Sequence, residues 1–320
     1  MNLLMKAMSY KIASLFLIPL FSLGTPITAQ LQNASPKDND ELTMLTVTVR
    51  NRSGHFVMGI PRESFELTDD KETRALEYFE NSDSPMSIGL LVDTSESMQI
   101  YDRKDITRPA AIGQMILRFL ELSNPKNEYF VLAFDQSPRV VTDWESSQEL
   151  LAEKIELKPE KRNTSLYDSC FAGLEKLASA HHSRRALILF TDGEDNSSKS
   201  TFVQLREQLR RSDVPIYSVG VATLAGMGST LGIEGSVILT EFADVTGGEA
   251  FFGHDAKEVR LAIDALAIEL RHQYRLGFRP PSPSTQAKWH RLKLKINPRP
   301  NAPEEFSKLT VRTRAGYYLR

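Results

Sequence analysis

Ile88-Gly-Leu-Leu-Val-Asp93-Thr-Ser95-Glu-Ser97-Met98 is the stretch that decides how this chain folds. An apolar run ends abruptly in an acid, and two serines follow at alternate positions. A run without polar alternation suits a strand covered on both faces. Asp93, Ser95 and Ser97 then present hard oxygen atoms just beyond the strand end. Such a set suits Mg²⁺, which takes oxygen ligands in octahedral geometry and keeps part of its water. The competing reading of the serines is a helix cap, because serine favours helix N-termini.

Further unbroken apolar runs occupy 129–134, 186–190, 216–221 and 250–252. Between them, apolar residues fall at helical spacing. Ile112, Met115, Ile116, Phe119 and Leu120 form one such set, and Cys170, Phe171, Leu174, Leu177 and Ala178 another. Val259, Ala262, Ile263, Leu266, Ala267 and Leu270 form the last. Strands alternating with helices predict an α/β domain over 85–272, a doubly wound, Rossmann-like parallel sheet. Such sheets bind ligands beyond the carboxyl ends of their strands, at a topological switch point. Asp192 follows a strand in Phe190-Thr-Asp-Gly-Glu-Asp195, and Thr164 precedes a helix in Arg162-Asn-Thr-Ser-Leu-Tyr-Asp168. Both are expected to meet the Asp93–Ser97 loop at one edge of the sheet.

Asp-x-Ser-x-Ser at 93–97, Thr164 ahead of a helix and Asp192 in a Thr-Asp-Gly turn resemble the metal-ion-dependent adhesion site of von Willebrand factor type A domains. The resemblance covers about 85–272, and all five motif positions are present without substitution. It implies that Ser95 and Ser97 bind a metal through their hydroxyls and that Thr164 binds directly in the ligand-competent state. It implies that Asp93 and Asp192 act largely through bound water. The ion implied is Mg²⁺, with Mn²⁺ or Ca²⁺ as substitutes, and the implied partner is a protein presenting an Asp or Glu carboxylate. The flanking segments Arg62-Glu-Ser-Phe65-Glu-Leu, Tyr274-Arg-Leu-Gly-Phe278 and Ala315-Gly-Tyr-Tyr318 resemble a bacterial set of exported proteins related to these domains.

The flanks alternate instead. Leu45, Val47 and Val49 interleave with polar residues, as do Tyr274, Leu276 and Phe278, then Leu292, Leu294 and Ile296, then Leu309 and Val311. That is the period of half-buried strands. Neither flank is long enough to bury much alone. Residues 41–84 and 273–320 are therefore expected to pack as one smaller antiparallel β-domain around the α/β domain. Two separate small sheets are the alternative.

Lys6 and Lys11 precede an apolar stretch over 12–23 that is too short to span a bilayer comfortably. Small residues follow, up to Ala29. Residues 1–29 read as a secretory signal peptide and 30–40 as a polar linker, with an uncleaved anchor as the alternative. The mature protein is then extracytoplasmic, periplasmic or secreted, with no membrane span. Cys170 is the single cysteine in 320 residues, so no internal disulfide forms, and it reads as a small core residue. A net charge of −2, with 25% charged and 41% hydrophobic residues, points to a globular core and away from nucleic acid.

Other polar clusters have plainer readings. Glu194 and Asp195 read as a solvated acidic turn, Asp168 as support for its helix start, and His181-His182 as surface. Residues 222–236 read as a flexible surface loop beside the metal edge. The functional expectation is a metal-dependent protein-binding module and not an enzyme. A metal-assisted phosphohydrolase is the first rival. The sequence carries no phosphate-binding Gly-x-x-x-x-Gly-Lys loop and no Gly-x-Ser-x-Gly elbow. The position two after Asp93, acidic in aspartyl-phosphate chemistry, is Ser95. A purely structural metal site is the second rival.

Overall fold

The computed structural model describes residues 42–95, 98, 108–155, 163–221, 230–253, 255–281, 288–299, 302–306 and 308–319. The expected signal peptide, the linker and Ser97 lie outside the described residues. The described residues begin with β1 (Thr43–Arg50), β2 (Phe65–Asp69), β3 (Glu72–Arg74) and β4 (Leu76–Glu80). The central part begins with β5 (Ser87–Asp93), α1 (Arg108–Leu122), β6 (Glu128–Phe134), β7 (Pro138–Glu145), α2 (Gln148–Lys154) and α3 (Leu166–Lys176). It continues with β8 (Arg185–Thr191), α4 (Phe202–Arg211), β9 (Ile216–Val221), α5 (Thr230–Thr246), β10 (Ala250–Gly253) and α6 (Ala256–Arg271). Last come β11 (Gln273–Phe278), β12 (Trp289–Ile296), β13 (Thr310–Arg312) and β14 (Gly316–Tyr318).

The central strands form one sheet in the order β10-β9-β8-β5-β6-β7. All neighbours are parallel except β7, which runs antiparallel to β6 at the edge. Every residue of β5 and β6 is buried, as continuous apolar runs require. Successive side chains of a strand point to opposite faces. Ile88, Leu90 and Val92 accordingly pack with Ile116 and Phe119 of α1 and Ile263 and Leu266 of α6. Leu91 packs on the other face, with Leu166 and Cys170 of α3, Leu205 of α4 and Phe242 of α5. Burying a side chain of this size stabilises by about 1.5–3 kcal/mol, so the central strands carry much of the fold. Because β5 pairs with β6 on one side and β8 on the other, the chain reverses its winding at β5. The switch point therefore sits where β5 ends, at Asp93.

The flanks build two antiparallel sheets, ordered β13-β1-β11-β4 and β14-β12-β2-β3. Each draws strands from both ends of the chain, with Leu45 opposite Leu276 and Leu67 opposite Leu294. Two sheets form, and neither is built from one flank alone. Their shared core contains Leu45, Val47, Val49, Leu67, Tyr274, Leu276, Phe278 and Tyr317. Among the described residues no helix is long and apolar enough to cross a membrane.

The expected loop over 222–236 needs correction in its second half. Residues 222–229 lie outside the described residues, but α5 already begins at Thr230. The glycines there suggested a loop. One of them, Gly235, is instead a helical residue at a tight contact with the neighbouring turn.

Candidate functional site

Asp93 is the last residue of β5 and is 1% exposed. Its Oδ1 accepts from the backbone N–H of Ser95 at 2.9 Å, which folds the loop back over the strand end. Its Oδ2 accepts from Thr191 Oγ1, the last residue of β8, at 2.7 Å. Burial, and then the charge of Asp192, push the Asp93 carboxyl up to about 7, against the lowering effect of the Ser95 and Thr191 hydrogen bonds. A nearby divalent cation would reverse that balance and hold the group ionised.

Thr191 Oγ1 also accepts from Gly193 N–H at 3.1 Å, so one hydroxyl ties Asp93 to the turn that carries Asp192. Asp192 is half-buried and its Oδ1 accepts from Glu194 N–H at 3.1 Å. Gly193 has φ +87°, a conformation glycine adopts without penalty. It lies against the backbone of Gly235 in α5.

Thr164 precedes α3 and is 1% exposed. Its N–H donates to Asn196 Oδ1 at 2.8 Å, and its carbonyl accepts from Asn196 and Ser197 N–H groups at 3.0 Å each. Asp195 Oδ2 accepts from the Tyr167 N–H at 3.0 Å and from Ser198 Oγ at 2.5 Å. Asp168 in turn accepts from the N–H groups of Lys199 at 2.8 Å and Ser200 at 3.0 Å. Burial works to raise Asp168, but the hydrogen bonds from Ser200 and Lys199 hold it below the usual carboxylate value. The reading of Asp195 as a solvated turn is therefore corrected. With Asn196 it clamps the start of α3 against the segment after Asp192, satisfying N–H groups that a helix start leaves open.

Asp93, Ser95, Thr164 and Asp192 are thus carried by loops that hydrogen-bond to one another beyond the carboxyl ends of β5 and β8. Ser95 is fully buried. His181 is exposed, as expected, and Cys170 is buried. Two residues outside the sequence expectation also sit at this edge. Asp135 follows β6, and Ser165 follows Thr164; each has a buried side-chain oxygen with no hydrogen-bond partner among the described residues. Among the described residues no lysine or arginine pairs with Asp93, Asp135 or Asp192. Hydroxyl and carboxylate oxygens without a protein cation fit a hard divalent ion.

A second acidic group does not fit so well. Potential ligand atoms of Asp69, Asp70 and His290 lie within 4.8 Å of one another. Asp69, however, already takes Arg74 Nε at 3.2 Å and the Tyr317 hydroxyl at 3.0 Å, and Asp70 takes Lys288 Nζ at 3.1 Å. Protein cations already compensate the charge there.

The solved structures similar to this chain include an aerotolerance-related membrane protein from Bacteroides fragilis with multiple mutations to serines. It is 16% identical, with 58% of this chain and 98% of that one covered at a TM-score of 0.47. BatB from Bacteroides thetaiotaomicron is also 16% identical, with the same coverage and a TM-score of 0.48. A von Willebrand factor type A protein from Catenulispora acidiphila is 11% identical over 86% of this chain and 73% of that one, at a TM-score of 0.48. No curated protein matches the chain in sequence. The family model of the von Willebrand factor type A domain matches residues 88–194. That stretch runs from β5 to the turn beyond β8 and holds every residue of the Asp-x-Ser-x-Ser, Thr and Asp pattern, so over residues 88–194 this chain matches the von Willebrand factor type A domain family.

Proposed function

We propose that this chain is an exported protein-binding module that grips its partner through a divalent cation. The domain type points to interaction or scaffolding. The finer reading is that Ser95, Ser97 and Thr164 hold Mg²⁺ through hydroxyl oxygens, with Mn²⁺ or Ca²⁺ as substitutes. Asp93 and Asp192 hold its water. The observation that carries the reading is the pair of cross-loop bonds, Thr191 to Asp93 and Thr164 to Asn196. They support a common site for loops far apart in sequence.

Neutral hydroxyls next to a divalent ion quench little of its charge, so the ion supplies attraction for a carboxylate on a partner. At an effective dielectric near 20, the two at about 4 Å attract by roughly 8 kcal/mol before desolvation is subtracted. Desolvation removes much of this, so surrounding surface complementarity must supply the rest of the affinity. Export is assigned to residues 1–29, which places the module in the periplasm or outside the cell.

Isothermal titration of the full chain with Mg²⁺ is expected to show a site that Asp93→Ala and Asp192→Ala both lose. Equal heats in all three proteins would remove the metal from this reading. Affinity capture from an envelope fraction, with Mg²⁺ and with EDTA, then separates a metal-gripped partner from one that ignores the ion.

A further inference from the structure

The residues at the sheet edge include an acid that the motif does not. β6 ends at Phe134, which lies opposite Asp93 in the parallel register. The Phe134 carbonyl accepts from the Thr94 N–H at 2.8 Å and from Thr94 Oγ1 at 3.1 Å. The next residue is Asp135, which is 5% exposed. Its carbonyl accepts from the Ser165 N–H at 2.7 Å. The main chain at Asp135 is therefore fixed between the loop that carries Ser95 and the loop that carries Thr164.

Its side chain is poorly satisfied. Oδ1 accepts one long bond, 3.3 Å, from the Ser137 N–H. Oδ2 is buried and has no donor among the described residues. Among the described residues it is the one fully buried carboxylate oxygen in that condition. Other buried acids are compensated: Asp69 by Arg74 and Tyr317, Glu128 by Ser87 and His181, and Glu269 by Arg50 and Arg312. The Ser165 hydroxyl, one residue from Thr164, is also buried without a partner among the described residues. Burying a polar atom unpaired is costly, and far more so for a charged one. Two such atoms beside one strand edge mark a place where the fold leaves groups for something it does not itself supply.

We propose that Asp135 belongs to the divalent-cation site, as a third carboxylate beside Asp93 and Asp192 that holds cation-bound water. This rests on the metal reading above. A third acid strengthens the hold on the ion and lowers the charge left over for a partner. Asp135 thus tunes the site toward keeping its cation and a gentler grip on the partner's acid.

The test is Mg²⁺ titration of the full chain as wild type, Asp135→Asn and Asp93→Ala, with thermal melts in EDTA and in Mg²⁺. Asp135→Asn is expected to bind Mg²⁺ about 10- to 100-fold more weakly, the range for outer partners of a metal site. Its melt in EDTA should be no lower than wild type, because an unpaired buried charge has been removed, while its Mg²⁺-induced rise should shrink. Asp135→Ser, with a smaller side chain, gives the same readout should the amide fail to fold. Wild-type affinity in both Asp135 variants, with binding lost in Asp93→Ala, overturns this inference and leaves the metal reading standing. So does a lower EDTA melt with an unchanged Mg²⁺-induced rise, the signature of a structural acid. No Mg²⁺ binding by wild type overturns both.

Discussion

Two of the places where the molecule buries acids treat them in opposite ways. At the junction of α6 with the flanking sheet, Glu269 is fully buried. It accepts from Arg50 Nη2 at 3.0 Å, from Thr48 Oγ1 at 3.0 Å and from Arg312. Glu249 accepts from Arg50 Nη1 at 2.9 Å and Arg312 Nη2 at 2.7 Å. Two carboxylates face two guanidiniums, so the charge closes within the protein. At the carboxyl end of the parallel sheet, Asp93, Asp135 and Asp192 share no such cation among the described residues. The first arrangement fastens β1 and β13 to the last helix. The second leaves negative charge for an ion to neutralise. Buried acids alone therefore do not mark a site; the missing counter-charge does.

The largest effect that separates the two is a pH dependence. Folded Asp93 titrates at about 7, against an ordinary value of 3.8. Between those values the folded chain keeps a proton that the unfolded chain has released. Stability from this group is thus fully present below about pH 4, falls as pH rises toward 7, and is level above. The loss is about 4 kcal/mol. Urea unfolding in EDTA isolates it: relative to the non-titrating Asp93→Asn variant, the wild type should lose about 4 kcal/mol from pH 4 to pH 7. Saturating Mg²⁺ should abolish the slope. Parallel wild-type and variant curves would break the comparison, because the sheet edge would then be as well compensated as the α6 junction.

Removing a cation from the compensated cluster should behave differently. Arg312→Met leaves Glu269 with Arg50 alone. Breaking a buried pair costs about 3–5 kcal/mol, and the remaining guanidinium puts the expected loss near the lower figure, about 3 kcal/mol. Mg²⁺ affinity should stay within about twofold of wild type, a margin of roughly 0.4 kcal/mol. A large loss of affinity would mean that the two clusters are coupled through α6 and are not separate devices.

Much of this is legible in the sequence. Unbroken apolar runs identified five strands of the central sheet, because burial on both faces removes polar alternation. The flank pairing was legible too, because two half-buried segments each need a partner. β7 was not. It is an antiparallel edge strand, its pairing with β6 shifts register twice, and Val140 within it is 57% exposed. α4 escaped because its sequence is mostly polar, with Leu205 and Leu209 as its buried residues. Its start does carry a signal, the Thr201–Gln204 capping box. At the site, the motif residues stood out by spacing. Asp135 had no pattern, since an acid after a strand is ordinarily solvated. Asp195 reads in the sequence as part of a solvated acidic turn, and its hold on Tyr167, like that of Asn196 on Thr164, depends on contacts about thirty positions apart that no local window contains.

The contact between α5 and the Asp192 turn gives the smallest and most local test. A Cβ at Gly235 would lie 2.3 Å from the Asp192 carbonyl oxygen, and one at Gly193 would lie 2.5 Å from that of Gly235. In an open helix position, glycine to alanine stabilises by about 0.5–1 kcal/mol. Gly113 in α1 is such a position, with nothing within 4 Å of its absent Cβ. Gly113→Ala should therefore raise stability by about that amount and leave Mg²⁺ binding unchanged. Gly235→Ala meets backbone, which cannot rotate away, and overpacking costs about 1–3 kcal/mol. The clash outweighs the helical gain, so a net loss of about 1–2 kcal/mol is expected in urea unfolding. Relief of the clash moves the Asp192 turn, so Mg²⁺ affinity should fall with it. If Gly235→Ala loses stability but keeps wild-type affinity, α5 shapes the fold without setting the position of Asp192. If both fall together, the first turns of α5 are part of what holds the acid edge open for a cation.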